Sequence, residues 1–154
     1  MPSRPGVTMT KVVKTILINA PISKVFEKCD NPNAMPLYVP SVTSVSNVQR
    51  SEKRIGDTFR ATYGMMGAHF DEDFTYTEFE RDKRIKAAFE GAMKGTMGIT
   101  LVPQGNSTNA TLESEYEVSG GILGKAVNKL LFERINDKNA ERLLENLKMV
   151  CEFA

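Results

Sequence analysis

The chain has 154 residues, with 20 Lys and Arg against 19 Asp and Glu, a net charge of +1 and one histidine. That length fits one domain able to bury about two-thirds of its unfolded surface without staples, and the interspersed charges, with no basic run beyond Lys53-Arg54 and no stripe of cations mixed with aromatics, argue against nucleic acid as a partner. No apolar run approaches the ~20 residues of a transmembrane segment, and Cys29 and Cys151 stand far apart with no CxxC or Cys/His pairing, so reduced thiols and a soluble, cytoplasmic protein are expected.

Residues 1–9 (MPSRPGVTM) hold prolines and a glycine but no apolar core of signal-peptide type. A loose tail is expected there, with a single domain over 10–154. Residues 10–19 (TKVVKTILIN) are rich in β-branched side chains and predict a strand. Pro21 suits a first helical turn, and Ile22, Val25, Phe26 and Cys29 follow at i, i+3, i+4 and i+7. That spacing predicts a short helix ended by Asp30-Asn31-Pro32, then a second short turn through Met35, Leu37 and Tyr38 between Pro36 and Pro40. Strands are predicted over 42–48 and 58–63 around a Gly56-Asp57 turn, and a third over 70–79 after Gly64-Met65-Met66-Gly67. The charged turn Arg81-Asp82-Lys83-Arg84 leads to a strand over 85–89, and 91–95 reads as a loose connection. Met97, Ile99 and Leu101 alternate with smaller residues up to Pro103. After a turn over 104–107, Ala110, Leu112, Ser114, Tyr116 and Val118 alternate with Asn109, Thr111, Glu113, Glu115 and Glu117 in the cleanest period-2 run of the chain.

Residues 122–153 predict one long helix of roughly 45 Å, with no Gly or Pro after Gly124. Ser119 is a candidate cap; Gly120, Gly121 and Gly124 either relieve a tight strand-to-helix turn or form a hinge. The apolar stripe of the first half (Leu123, Val127, Leu130, Leu131, Ile135) is offset by about 160° from that of the second (Ala140, Leu143, Leu144, Leu147, Val150, Cys151). Either the helix breaks at Asn136-Asp137-Lys138-Asn139, or its second half packs on a sheet while its first half roofs something else, such as a cavity. Strand, two short helices, six strands and one long helix make an α+β protein whose sheet must curl around that helix.

This order, with INAPISKVFEKCDNP after the first strand, FTYTEFERDKRI and GITLVPQGNSTNATLESEYEV in the middle, and GILGKAVNKLL…LLENLKMVCE at the end, resembles the helix-grip proteins. These form the START-like (SRPBCC) superfamily of polyketide cyclases/dehydratases, coenzyme Q-binding proteins and birch-pollen-allergen-like proteins. The resemblance covers nearly the whole chain. It implies a strongly bent seven-stranded antiparallel sheet wrapped around the last helix, two short helices after strand 1, and a hydrophobic cavity between sheet and helix. Fold of this kind does not fix function.

The expected cavity lining comes from the inward strand faces: Phe59, Ala61 and Tyr63; Phe70, Glu72, Phe74 and Tyr76; Ile85, Ala87 and Phe89; Met97, Ile99 and Leu101; Leu112, Ser114 and Tyr116. From the long helix Val127, Leu130 and Leu131 are expected to join them. Aromatics and flexible methionines (Met65, Met66, Met93, Met97) beside small residues suit a greasy ligand of loose definition. If Phe70 and Phe74 point inward so does Glu72, and a carboxyl held among rings has its pKa pushed upward; the opposite register puts Asp71 and Asp73 inside instead. Arg60 alternates away from the Phe59 face and reads as a solvated cation. His69 is the sole histidine and has no triad partners in any recognisable motif, and neither a metal site nor a cofactor is expected.

Three functions fit these residues. The first is binding, transport or sensing of a small hydrophobic molecule (a lipid, isoprenoid or polyketide), with Glu72, Tyr63 or Tyr116 choosing its orientation. The second is a cyclase or dehydratase using Glu72 or Asp73 as acid with Tyr116 or His69 as partner. The third is an interaction module docking on a protein or membrane through the first half of the long helix.

Overall fold

A computed structural model describes residues 9–65, 67–118 and 129–153. Strand β1 (Thr10–Ile18) is followed by helix α1 (Ile22–Cys29), a 3-10 turn (Pro32–Ala34) and helix α2 (Met35–Tyr38). Six strands follow: β2 (Val42–Gln49), β3 (Thr58–Met65), β4 (Ala68–Glu80), β5 (Arg84–Gly91), β6 (Met93–Gln104) and β7 (Ser107–Val118). Helix α3 (Lys129–Phe153) closes the described chain. The architecture is the helix-grip arrangement expected from the sequence: one antiparallel sheet in the order β1-β7-β6-β5-β4-β3-β2, curled around the long helix. Consecutive strands β1 and β2 occupy opposite edges, so α1 and α2 are the segment that carries the chain from one rim of the sheet to the other.

Period-2 patterning makes this sheet two-faced. In β3 the residues Phe59, Ala61, Tyr63 and Met65 are buried while their neighbours are half-exposed, and in β4 Glu72, Phe74 and Tyr76 are buried between exposed Asp71, Asp73, Thr75 and Thr77. Register breaks between Tyr76 and Glu78, and at two places in β2, insert the bulges that bend such a sheet. The outer face is held by cross-strand polar pairs: the Arg60 guanidinium donates to Asp73 at 2.8 and 3.1 Å, which lowers the Asp73 pKa, so Arg60 is paired as well as half-exposed.

Helix α1 buries Val25 and Phe26, and Phe26 meets Phe79 edge-on at 5.5 Å. Its last turn is followed by Asp30, a buried carboxylate that accepts from Arg54 Nε at 3.2 Å and from Tyr76 Oη at 3.4 Å. Helix α3 runs unbroken through 136–139, so of the two alternatives the break is the one that does not occur. It lies along β1: Lys14 pairs with Asp137 at 3.1 Å and Glu141 at 3.3 Å, and Lys148 donates to the Leu17 carbonyl at 3.0 Å. Its inward face reads Phe132, Asn136, Ala140, Leu143, Leu147 and Cys151 as one stripe. Leu130 and Leu131 are 55 % and 46 % exposed and form an outer ridge instead, which corrects the expectation that they face the sheet. The candidate cap Ser119, the three glycines 120, 121 and 124, Leu123, Val127 and Met66 lie outside the described residues.

The connection over 91–95 is tight, not loose: β5 ends at Gly91 and β6 begins at Met93. A Cβ on Gly91 would stand 2.1 Å from the Asp71 carbonyl oxygen, and one on Gly95 would stand 1.9 Å from that of Glu115. Backbone from neighbouring strands occupies the space a side chain would take, which is why glycine serves at both positions.

Candidate functional site

Sheet and α3 do not close on each other. Between them lies a cavity of two chambers that share Val39, Phe74, Met97, Leu112 and Leu143. The first, about 650 Å³ of empty space counted out into open solvent, is walled by inward residues of β1, β3, β4, β5, β6 and β7 and by Asn136, Asn139 and Ala140 of α3. The second, about 600 Å³ and likewise partly open, lies toward α1 and α2 and is walled by Cys29, Met35, Tyr38, Phe59, Tyr76 and Ile85 among others. Strand alternation aims these side chains, and the methionines at 65, 93 and 97 give the first chamber a deformable wall.

The expected residues divide as follows. Tyr63, Glu72, Phe74, Phe89, Met97, Leu112, Ser114 and Tyr116 line the first chamber. Phe59, Tyr76, Ile85, Ala87 and Ile99 line the second, where Phe59 stacks on Phe74 at 4.8 Å. Ala61 and Leu101 are buried in the packed core, and Phe70 is half-buried against it without reaching either chamber. Leu130 and Leu131 face outward, and Val127 is not described. Of the four acid/base candidates, Glu72 and Tyr116 share the first chamber. Asp73 and His69 do not: both are exposed, because a period of two sends odd positions of β4 to the face opposite Glu72.

Sequence reasoning missed Asn136 and Asn139. Polar residues inside a helix read as solvent-facing, yet both line the cavity, where Asn136 Nδ2 reaches Met93 Sδ at 3.9 Å and Asn139 Nδ2 reaches Ser41 Oγ at 3.5 Å. The signal was available in their spacing, since 132, 136, 139, 143 and 147 follow i+4, i+3, i+4 and i+4.

Glu72 is the most perturbed acid of the chamber. It is 1 % exposed. One oxygen, Oε1, accepts from the Met93 backbone N–H at 2.7 Å, so the carboxyl ties the β5–β6 tip to β4. The other, Oε2, has no hydrogen-bond partner among the described protein groups. Burial raises its pKa to about 7 from 4.5, with the nearby charges of Asp73 and Asp71 adding to the rise and the backbone N–H groups of Met93 and Ala92 opposing it. Tyr63, buried beside it, has its phenol pushed up by burial and by the Glu72 charge.

Tyr116 is the second unsatisfied group. It is 3 % exposed, packs its ring 6.4 Å from that of Phe132, and its Oη lacks a partner in hydrogen-bond geometry. Burial raises its pKa, and the neighbouring Asn136 and Thr10 side chains moderate the rise. In the second chamber Tyr76 is pushed up to about 12 by burial and the Asp30 charge, and burial raises both cysteine thiols, so neither is an activated nucleophile.

Among the described residues no group of His, Cys, Asp and Glu is arranged to hold a metal ion, and no helix is long and apolar enough to cross a membrane. A family model described as "Polyketide cyclase / dehydrase and lipid transport" matches residues 9–152. No curated protein matches. Among solved structures, the Zhui aromatase/cyclase of a Streptomyces species superposes with a TM-score of 0.79 at 13% identity over 94% of both chains. A START superfamily protein from Mycobacterium smegmatis gives 0.77 at 17% identity, over 92% of this chain and 97% of its own. A Thermus thermophilus protein gives 0.74 at 22% identity, over 90% and 94%. At these identities the likeness is one of fold.

Proposed function

The chain belongs to the polyketide cyclase / dehydrase and lipid transport family, and we propose that within it this protein binds and carries or senses a small hydrophobic molecule without transforming it. The supporting observation is the chambered cavity, whose walls are almost wholly apolar and aromatic and whose polar contacts are few and local. Burial of the ligand's apolar surface, at roughly 25 cal/mol per Å², supplies affinity; the few polar groups supply orientation. No lining residue among those described pairs a nucleophile with a base.

Native mass spectrometry of protein from its own source, followed by organic extraction, tests the proposal. One apolar molecule per chain, recovered chemically unchanged after incubation with apoprotein, is the expected result. Protein that is empty as isolated and takes up no neutral apolar dye overturns it.

A second reading rests on one observation, the near-neutral pKa of Glu72. A carboxyl poised there suits general acid catalysis in a cyclase or dehydratase. Chemical conversion of the extracted compound, abolished in Glu72→Gln, establishes that reading; a Glu72→Gln protein that only binds with altered affinity returns the carrier.

A further inference from the structure

The first chamber carries two buried polar atoms that no described protein group satisfies, Glu72 Oε2 and Tyr116 Oη. Each costs about 1–3 kcal/mol if left unmade, so each calls for an explanation. Their placement is not independent. Glu72 holds the Met93 N–H through its other oxygen, the Met93 sulfur meets Asn136, and Asn136 neighbours Tyr116. One run of polar contacts therefore crosses a wall otherwise formed by Tyr63, Phe74, Phe89 and Leu112.

The two atoms ask for different things. An ionised carboxylate oxygen only accepts, and a phenol whose Oη meets no partner in hydrogen-bond geometry, with Asn136 and Thr10 beside it but not bonded to it, keeps a proton to donate. A ligand group that satisfies both must donate and accept. We infer that the ligand is an apolar molecule bearing a neutral hydroxyl head, which donates to Glu72 Oε2 and accepts from Tyr116 Oη while its hydrocarbon part extends toward the second chamber. The inference rests on the carrier reading and deepens it. A carboxylate head meets repulsion from Glu72. An ammonium head gains attraction that its own desolvation largely cancels, and offers Tyr116 no lone pair. An ether or ketone accepts from Tyr116 but leaves an ionised Glu72, the form that prevails above about pH 7, unserved.

Displacement of the neutral dye N-phenylnaphthylamine by decanol, decyl methyl ether, decanoate and decylamine, at about pH 8.5 so that Glu72 is ionised, tests this. Decanol is expected to bind roughly tenfold more tightly than the ether, the scale of one hydrogen bond to a charged group. Glu72→Gln keeps an acceptor for the Met93 N–H but presents an N–H₂ at the Oε2 position, which serves either ligand oxygen; the decanol-to-ether ratio should fall to about one. Tyr116→Phe should weaken decanol by roughly tenfold and leave that ratio standing. Melting curves establish that both variants fold. Equal binding of decanol and ether, tighter binding of decanoate or decylamine, or a ratio unmoved by Glu72→Gln overturns the hydroxyl head while the carrier stands. Failure of the dye and of every decyl compound to bind overturns the carrier and the head together.

Discussion

At Glu72 the needs of a strand and of a carboxylate pull in opposite directions. Alternation places the side chain inside, between Phe70 and Phe74 in sequence, and burial then raises its pKa from 4.5 to about 7. The pH dependence follows with a definite sign. As pH rises, the unfolded chain releases this proton near 4.5 while the folded chain keeps it until about 7. Between those values the native state binds more protons, so the group's contribution to stability declines with rising pH and levels off above about 7. Glu72→Gln removes the titration and keeps an oxygen for the Met93 N–H. Urea midpoints should therefore show the variant gaining on the parent by about 2 kcal/mol between pH 5 and pH 8. A constant difference across that range would mean that the carboxyl titrates as it does in water. The sequence offered two registers for this acidic triplet, and the facing pairs Phe59–Phe74 and Tyr63–Phe70 chose between them. The same choice sends His69 and Asp73 outside.

The β5–β6 hairpin and the long helix are the elements whose reading from sequence fell short, each for a physical reason. Glycines at 91, 95 and 98 weaken the strand signal because they bring no β-branched side chain, so β6 seemed to begin at Met97 although it begins at Met93. These glycines are accommodations to approaching backbone, and they differ in degree. A Cβ on Gly95 would lie 1.9 Å from the Glu115 carbonyl oxygen and 2.8 Å from the Tyr116 Cα, while one on Gly98 would lie 3.4 Å from its nearest neighbours. Gly95→Ala must move β7 backbone and should cost about 3 kcal/mol in urea unfolding; Gly98→Ala should cost under about 1 kcal/mol. Similar losses for both would show that the β6–β7 ladder yields freely at Gly95. In α3 the misreading concerned Asn136 and Asn139. Counted as polar they split the apolar stripe in two, but counted as cavity residues they join Phe132 to Ala140 and Leu143 along one face. Of the leftover stripe, Leu130 and Leu131 are exposed while Ile135 packs against the core.

At the scale of the whole molecule the order of elements was legible because seven period-2 segments, two short helices and a long helix admit few arrangements; what periodicity does not report is whether sheet and helix touch. They touch fully at one end only. Leu144, Leu147 and Cys151 are 2 %, 0 % and 1 % exposed in the packed core, while Ala140, one to three turns earlier, borders the first chamber. A small side chain beside a space is where added volume separates a reserve for ligand from an ordinary core. Ala140→Leu adds three carbons. In a filled core such an insertion forces side chains off their rotamers at about 1–3 kcal/mol; beside a cavity the same atoms gain apolar contacts at roughly 0.8 kcal/mol per buried methylene. The variant should therefore stay within about 1 kcal/mol of the parent in urea while binding of the neutral dye weakens by roughly tenfold, because the ligand and the new leucine compete for one volume. A destabilised protein with unaltered binding would place the ligand elsewhere and make the wall around Ala140 an ordinary part of the core.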